Sequence, residues 1–235
     1  MRAMILAAGR GERMGALTAH TPKPLLRINE QYLIQYAIVS LARAGIQDIV
    51  INISYLGDQI KKALGDGSRY GVNLLYSEEE KRLETGGGIF NALPLLGSEP
   101  FLVVSADVIT DFPFKTLPKQ PEGLAHLVLV DNPDFHLQGD FGLVNGRIDR
   151  LATPAFTYAN IGIYRPELFA ACKSGHFPLN NILFPAIDQA TVTGEYYQGI
   201  WYNVGTPANL EEINLRARED SNLWPLVSET NTLSN

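Results

Sequence analysis

Two cations sit close together near the N-terminus in a setting that gives them no core to serve. Arg13 belongs to the run Gly9-Arg10-Gly11-Glu12-Arg13-Met14, and Lys23 lies between two prolines in Thr21-Pro22-Lys23-Pro24-Leu25. An apolar stretch, Met4-Ile5-Leu6-Ala7-Ala8, leads into the glycines. A strand that feeds a glycine-rich turn brings backbone N–H groups against an anion. Arg13 and Lys23 add the full positive charge that a polyphosphate needs. Pro22 and Pro24 hold Lys23 in an extended segment, because proline turns itself and its predecessor away from helix. Taken alone, the glycines fit a plain strand–turn–helix corner equally well; the two cations favour phosphate.

Familiar phosphate motifs do not fit. The third glycine of a dinucleotide fingerprint is replaced by Met14, and no Gly-Lys-Ser/Thr triplet occurs. Asp107 follows the apolar run Phe101-Leu102-Val103-Val104-Ser105-Ala106. A carboxylate there either caps a turn or shares a Mg²⁺ ion with substrate phosphates, since Mg²⁺ takes few protein ligands. Asp111, before Phe112-Pro113, reads as a turn residue. His20, His126, His136 and His176 lack metal-ligand spacing, and His126 reads as a satisfied core residue in a strand. No Ser/His/Asp or Cys/His arrangement stands out, so the chemistry indicated is positioning and charge neutralisation.

The elements that must position these groups follow from periodicity. Residues 2–8 form a short buried strand. Tyr32–Ala44 carries the apolar spacing of a largely buried helix, stopped by Gly45. Asp48–Ile53 is a second strand, Gln59–Leu64 a short helix and Val72–Tyr76 a third strand. Thr85 is the expected N-cap of a helix through Leu93 that Pro94 closes. Phe101–Ser105 is the most strand-like run. Strands alternating with helices over about 110 residues predict a mostly parallel, doubly wound sheet, whose ligands bind at strand carboxyl ends. The second half is richer in strands: Leu124–Val130, Phe141–Val144, Ile148–Leu151, Tyr158–Tyr164 and Tyr196–Val204. Asn145-Gly146 is a hairpin turn signal. Helices are expected at Glu167–Cys172, Asn181–Gln189 and Ala208–Arg218, the last opened by Thr206-Pro207. A polar tail begins at Asp220.

Composition narrows the partners. The 235 residues carry a net charge of -6 with no basic run, which argues against nucleic acid and anionic membranes. At 46% hydrophobic and 19% charged residues, the chain has globular composition rather than that of a disordered one. A single cysteine, Cys172, excludes an internal disulfide, fits a reducing cytoplasm and reads as a small buried apolar residue. No apolar run approaches the ~20 residues of a membrane span, and the first residues do not form a signal peptide.

The run Leu6–Met14 followed by Thr21–Leu25 resembles the signature of the sugar-1-phosphate nucleotidyltransferases. Leu83-Glu84-Thr85-Gly86-Gly87-Gly88, Ser105-Ala106-Asp107 and Trp201-Tyr202-Asn203-Val204-Gly205-Thr206 fall in that family's order and spacing. Within it, 65–71, 84–90 and 124–133 look closest to the short bacterial enzymes that uridylylate N-acetylmuramate-1-phosphate in cell-wall recycling. The resemblance covers about residues 1–219. It implies an α/β, Rossmann-like single domain with a nucleotide-binding half at about 1–110 and a β-rich, sugar-binding half at about 111–219. The segment 220–235 is then a tail, with no further domain expected.

The reaction implied is attack by a sugar-1-phosphate oxygen on the α-phosphorus of an NTP, UTP in the closest relatives, with release of pyrophosphate. Carried over, Leu6, Ala7, Ala8, Gly9 and Gly86 border base and ribose, and Gly11, Glu12 and Arg13 the triphosphate. Arg13 stabilises the leaving pyrophosphate and Lys23 holds phosphate oxygens. Asp107 and Asn203 hold Mg²⁺, with Ser105 beside the nucleotide, while Asp140, Gly142 and Asn160 match sugar-binding positions. Three departures stand out. Gly15-Ala16-Leu17 replaces the more usual Arg-Pro-Leu, Asn203 stands where many members have Asp, and a Glu-Lys-Pro segment is missing after Leu151. A mannose-1-phosphate guanylyltransferase is the alternative within the class, and a non-catalytic nucleotide-sugar-binding regulator the alternative outside it. A cytoplasmic monomer or small homo-oligomer is expected.

Overall fold

The computed structural model describes residues 1–219, so the tail expected from Asp220 lies outside the described residues. β1 (Ala3–Leu6) leads into the glycine loop. A short hairpin of β2 (Arg27–Ile28) and β3 (Gln31–Tyr32) precedes α1 (Leu33–Arg43). Then come β4 (Asp48–Ile53), α2 (Gly57–Leu64), β5 (Asn73–Glu78), α3 (Glu84–Leu96), β6 (Phe101–Ser105) and β7 (Val108–Thr110). The second half runs β8 (Ala125–Val130), β9 (Phe141–Val144), β10 (Arg147–Asp149), β11 (Ala155–Tyr164), α4 (Asn180–Asp188), β12 (Val192–Tyr196), β13 (Trp201–Asn203) and α5 (Pro207–Glu219).

One nine-stranded sheet joins both halves, in the order β5-β4-β1-β6-β11-β8-β12-β10-β9. β5, β4, β1 and β6 are parallel, as the alternation of strands and helices predicts. β11 then joins β6 antiparallel, setting Ile161 against Val104 and Tyr164 against Phe101. Successive residues of β1 point to opposite faces. Ala3 and Ile5 pack with Ile34, Ile38 and Leu41 of α1 and Ile60 of α2. Met4 packs on the other face, in the core that holds Ile89 and Ala92 of α3 and Leu183 of α4. With helices on both faces, the central strands have no exposed side, which is why their sequences are apolar throughout. α5 makes a third, smaller core with Ile28, Leu33 and Ile109.

Several elements differ from the sequence expectation. Thr85 is not the N-cap of α3, which begins one residue earlier, and Pro94 lies inside its last turn. Gly97, at φ 89°, ends the helix instead, its N–H reaching Leu93 O. Tyr196–Val204 is not one strand: Tyr196 is the last residue of β12, and Trp201–Asn203 forms β13. β12 belongs to the main sheet, while β13 leaves it to pair with β7. Asp111 enforces that turn by accepting from Ile200 N–H (2.7 Å) and Tyr197 O–H (2.5 Å). A single 3₁₀ turn, Pro166–Phe169, replaces the helix expected at Glu167–Cys172 and begins one residue before it. The Asn145-Gly146 turn forms as predicted, both residues at positive φ between β9 and β10.

Because Ile5 is fully buried between β4 and β6, Ile5→Ala is expected to cost about 2–5 kcal/mol. Urea unfolding followed by circular dichroism measures it.

Candidate active site

The carboxyl ends of β1, β4, β5 and β6 open onto a cleft of about 360 Å³. Its lining includes Leu6 through Arg13, Lys23, Asn52, Glu79, Arg82, Glu84, Thr85, Ser105, Asp107, Asn160 and Gly205. The glycine loop earns its shape from Gly11, whose φ of 69° a side chain rarely adopts. A Cβ at Gly11 would also stand 2.9 Å from Lys23 Cβ, so the bare backbone lets Lys23 pack directly against the loop. Gly11 O accepts from Met14 N–H (2.9 Å) and Thr18 Oγ1 (3.0 Å), which starts the 3₁₀ helix Glu12–Thr18. Among the described residues, nothing accepts from the backbone N–H groups of Ala8, Gly9, Arg10 and Gly11. Four successive donors without a protein acceptor at a cleft wall are available to an anion.

Across the loop, Lys23 Nζ donates to Asp107 Oδ2 in a pair with little solvent exposure. The other carboxylate oxygen, Asp107 Oδ1, is buried and has no hydrogen-bond partner. A buried acceptor left without a donor is costly, and a cation answers it. β13 brings Asn203 alongside: Val204 N–H donates to Asp107 O (2.9 Å), and Asn203 pairs with Val108. Asn203 Oδ1 and Arg13 Nη2 lie 3.2 and 3.3 Å from the point where a Gly205 Cβ would stand. Glycine there lets the guanidinium lie close against the backbone. No cluster of three His, Cys, Asp or Glu residues suited to a metal exists among the described residues. One carboxylate, one amide and phosphate oxygens are the kind of set that Mg²⁺ accepts.

The opposite end of the cleft rests on a buried polar chain. Ala7 N–H donates to Asn52 Oδ1 (2.8 Å), Asn52 Nδ2 to Glu79 Oε1 (2.7 Å), and Leu83 N–H to Glu79 Oε2 (3.0 Å). The chain ties the end of β1 to the ends of β4 and β5 and to the start of α3. Gly88 makes room for it, since a Cβ there would meet Glu79 Oε1 at 2.6 Å. Burial raises the Glu79 pKa above its ordinary value, against the lowering effect of the hydrogen bonds from Asn52 and Leu83 and of the Arg82 charge. At the mouth, Glu84 holds φ 62° and lies 3.4 Å from Arg82 and 3.6 Å from His176.

A protein-family model described as "Nucleotidyl transferase" matches residues 2–220. The chain belongs to that family. It is 47% identical over 222 residues, 90% of this chain and 96% of the other, to an N-acetylmuramate alpha-1-phosphate uridylyltransferase of Neisseria meningitidis serogroup B. It is 30% identical to a mannose-1-phosphate guanylyltransferase catalytic subunit beta of Drosophila pseudoobscura pseudoobscura, covering 88% of this chain but 59% of the longer relative. The fold also matches an inositol-1-phosphate CTP transferase from T. maritima, with TM-score 0.76 at 21% identity over 93% of this chain and 96% of that one.

Of the residues singled out in the sequence, the nucleotidyl transferase fold gathers Leu6, Ala7, Ala8, Gly9, Gly11, Glu12, Arg13, Lys23, Ser105, Asp107 and Asn160 in one cleft. Gly86 is outside the lining, packed against Phe177. Asp140, Gly142 and Asn203 are outside it too, Asn203 lying next to the lining residue Asp107 through the β13–β7 pairing. Asp140 Oδ2 accepts from Tyr158 N–H (2.8 Å) and Gly142 sits against Ala152. His126 is satisfied only at Nδ1, by Thr193 Oγ1, and its Nε2 has no hydrogen-bond partner. Asn52, Glu79 and Arg82 escaped the sequence reading, and Arg10 and Glu84 stood within its motifs without a role. The signal for Asn52 was available: it is the lone polar residue within an apolar strand, Ile49-Val50-Ile51-Asn52-Ile53.

Asn52→Ala strands both Ala7 N–H and Glu79 Oε1, at about 1–3 kcal/mol for each group. We expect a lower urea midpoint together with a raised KM for the nucleotide. The Glu79 shift also has a pH signature. With its folded pKa above the ordinary 4.5, the folded chain holds more protons than the unfolded one in the interval between the two values. This contribution to stability is full below 4.5 and is lost as pH rises through the folded pKa. Glu79→Gln is expected to flatten that slope in urea midpoints taken across the interval; an unchanged slope would assign it to another group.

Proposed function

We propose that the chain transfers a uridylyl group from UTP to N-acetylmuramate-1-phosphate, giving UDP-N-acetylmuramate and pyrophosphate, in the cytoplasm. The observation that carries nucleotidyl transfer is the meeting of the glycine-loop N–H donors, Arg13 and the Lys23–Asp107 pair in one cleft. Base and sugar rest on the 47% identity to a uridylyltransferase along nearly its whole length.

In this mechanism a sugar-phosphate oxygen attacks the α-phosphorus, and the bond from that phosphorus to the β-phosphate bridging oxygen breaks. The loop N–H groups and Arg13 hold the departing pyrophosphate, where charge accumulates. Lys23 holds oxygens at the reacting centre and neutralises them, its link to Asp107 fixing its position. Asp107 Oδ1 and the Asn203 amide oxygen would hold Mg²⁺, which when bound neutralises phosphate charge. Ser105 lies beside the nucleotide, with Leu6–Gly9 along base and ribose. Gly86 acts from behind this surface by letting α3 approach Phe177. On the sugar side, Asn160 reaches the cleft from the irregular stretch of β11, and Asp140 steadies that stretch through Tyr158. Gly142 acts from outside the cleft, its missing side chain letting β9 lie against Ala152.

Pyrophosphate release measured across several NTPs and sugar-1-phosphates, with and without Mg²⁺, tests the assignment. UTP with N-acetylmuramate-1-phosphate and Mg²⁺ is expected to be the fastest combination. Faster turnover of GTP with mannose-1-phosphate would move the substrates to the guanylyltransferase type, and nucleotide binding without any turnover would indicate a regulator. Asp107→Ala is expected to lower kcat by at least about 10²-fold, whereas Asn203→Asp retains or raises it. An unaltered rate in Asp107→Ala would remove the metal assignment.

A further inference from the structure

Four cations line the cleft: Arg10, Arg13, Lys23 and Arg82. Two are already committed, Lys23 to Asp107 and Arg82 to Glu84. Among the described residues neither Arg10 nor Arg13 is paired with a carboxylate. Arg13 holds pyrophosphate in the proposed transfer, and Arg10 takes no part in it so far as that mechanism goes. Arg10 occupies the position between the two glycines, next to backbone N–H groups that have no protein acceptor.

Its guanidinium is nevertheless held in place. The Arg10 guanidinium carbon lies 5.3 Å from the centroid of the Tyr55 ring, within the range of a cation–π contact. Tyr55 follows β4 and is itself anchored, its hydroxyl donating to Ala19 O at 2.7 Å. Gln59 Nε2 donates to His20 O at 3.0 Å and ties the same two segments together. Among the described residues no protein acceptor takes a hydrogen bond from this guanidinium, so its N–H groups are left for anion oxygens. An arginine with no assigned partner would lose side-chain entropy on binding an anion; one already resting on a ring loses less.

Resting on the nucleotidyl transfer proposed above, we propose that Arg10 is a second polyphosphate-binding arginine and that Tyr55 is its positioning residue. Its ligand is the β,γ end of the NTP, which is also the pyrophosphate product. Arg13 approaches beside Gly205 and Arg10 from the Tyr55 side, so the anion has a cation on each of two walls.

The test is calorimetric titration of the full chain with inorganic pyrophosphate in Mg²⁺, with UTP and with uridine. The variants are Arg10→Ala, Tyr55→Phe, Tyr55→Leu and the double variant Arg10→Ala/Tyr55→Leu. Arg10→Ala is expected to weaken pyrophosphate and UTP about tenfold, the effect of one charge-assisted hydrogen bond, and to leave uridine unchanged. Tyr55→Phe keeps the ring and is expected to stay within about twofold of wild type; Tyr55→Leu loses the ring and is expected to approach Arg10→Ala. The double variant is then no weaker than Arg10→Ala alone, because both changes remove one interaction. Equal pyrophosphate affinity in Arg10→Ala and wild type would overturn the inference while leaving nucleotidyl transfer standing. So would additive losses in the double variant, or a matching loss of uridine binding. Wild-type protein that binds neither UTP nor pyrophosphate would overturn both. Should Tyr55→Leu fail to fold by circular dichroism, Arg10→Ala and Tyr55→Phe decide the matter.

Discussion

The pair between Lys23 and Asp107 joins residues 84 positions apart and closes the active-site end of the sheet. Little of either side chain meets solvent, at 11% and 19% exposure. Desolvating two opposite charges takes back much of their attraction, so such a pair is a poor device for stability alone. Its value is geometric. It fixes the proline-flanked segment over the glycine loop, and it leaves Asp107 one occupied oxygen and one free oxygen. Gly11, whose missing Cβ admits Lys23, and Val204, which anchors the Asp107 backbone, both serve that arrangement.

The cleft is therefore polar at each end but for different reasons. Toward Asp107, the carboxylate keeps one oxygen without a donor, and Arg10 and Arg13 have no carboxylate partner among the described residues. Toward Glu79, polar groups are satisfied internally and turned away from chemistry. Asn52 bridges a backbone donor and a carboxylate, using both ends of its amide. Neither a hydrophobic residue nor aspartate could do so, because one offers no hydrogen bond and the other no donor. The glycine loop thus hangs from a fixed strand end, a rigid support of the sort that positional catalysis depends on.

Sequence disclosed the parts of this design that are local or dictated by uniform burial. β4 and β6 have the predicted boundaries, since a strand covered on both faces is apolar along its whole length. The glycine loop and its cations were equally legible, because Gly11, Arg13 and Lys23 are close in sequence. What stayed hidden was tertiary. Nothing in Tyr196–Val204 announces a change of sheet, which is imposed by Asp111 from almost ninety residues away. Pro94 reads as a stop, yet the last turn of α3 accommodates it and the helix runs on to Gly97. Glu79, one of three successive glutamates, reads as solvent-exposed charge until β5 places it against Asn52.

Backbone strain points the same way as the unpaired charges. Six non-glycine residues among those described hold positive φ, and two of them, Glu84 and Asn160, line the cleft. Asparagine tolerates that conformation through its short polar side chain; glutamate has no such excuse. Glu84 stands at the first residue of α3, where glycine would relieve the strain but would remove the carboxylate facing Arg82 and His176. A conformation costing about 1–3 kcal/mol persists only where its surroundings enforce it. Here the enforcement comes from the clamp of Gly87 N–H on Phe177 O and Phe177 N–H on Leu83 O, both 3.0 Å, which fixes the entry to the helix. The same clamp holds Arg82 against Glu84 and so withdraws one cation from competition for phosphate. Of the four cations that line the cleft, the two without a carboxylate partner among the described residues, Arg10 and Arg13, are left at the glycine loop.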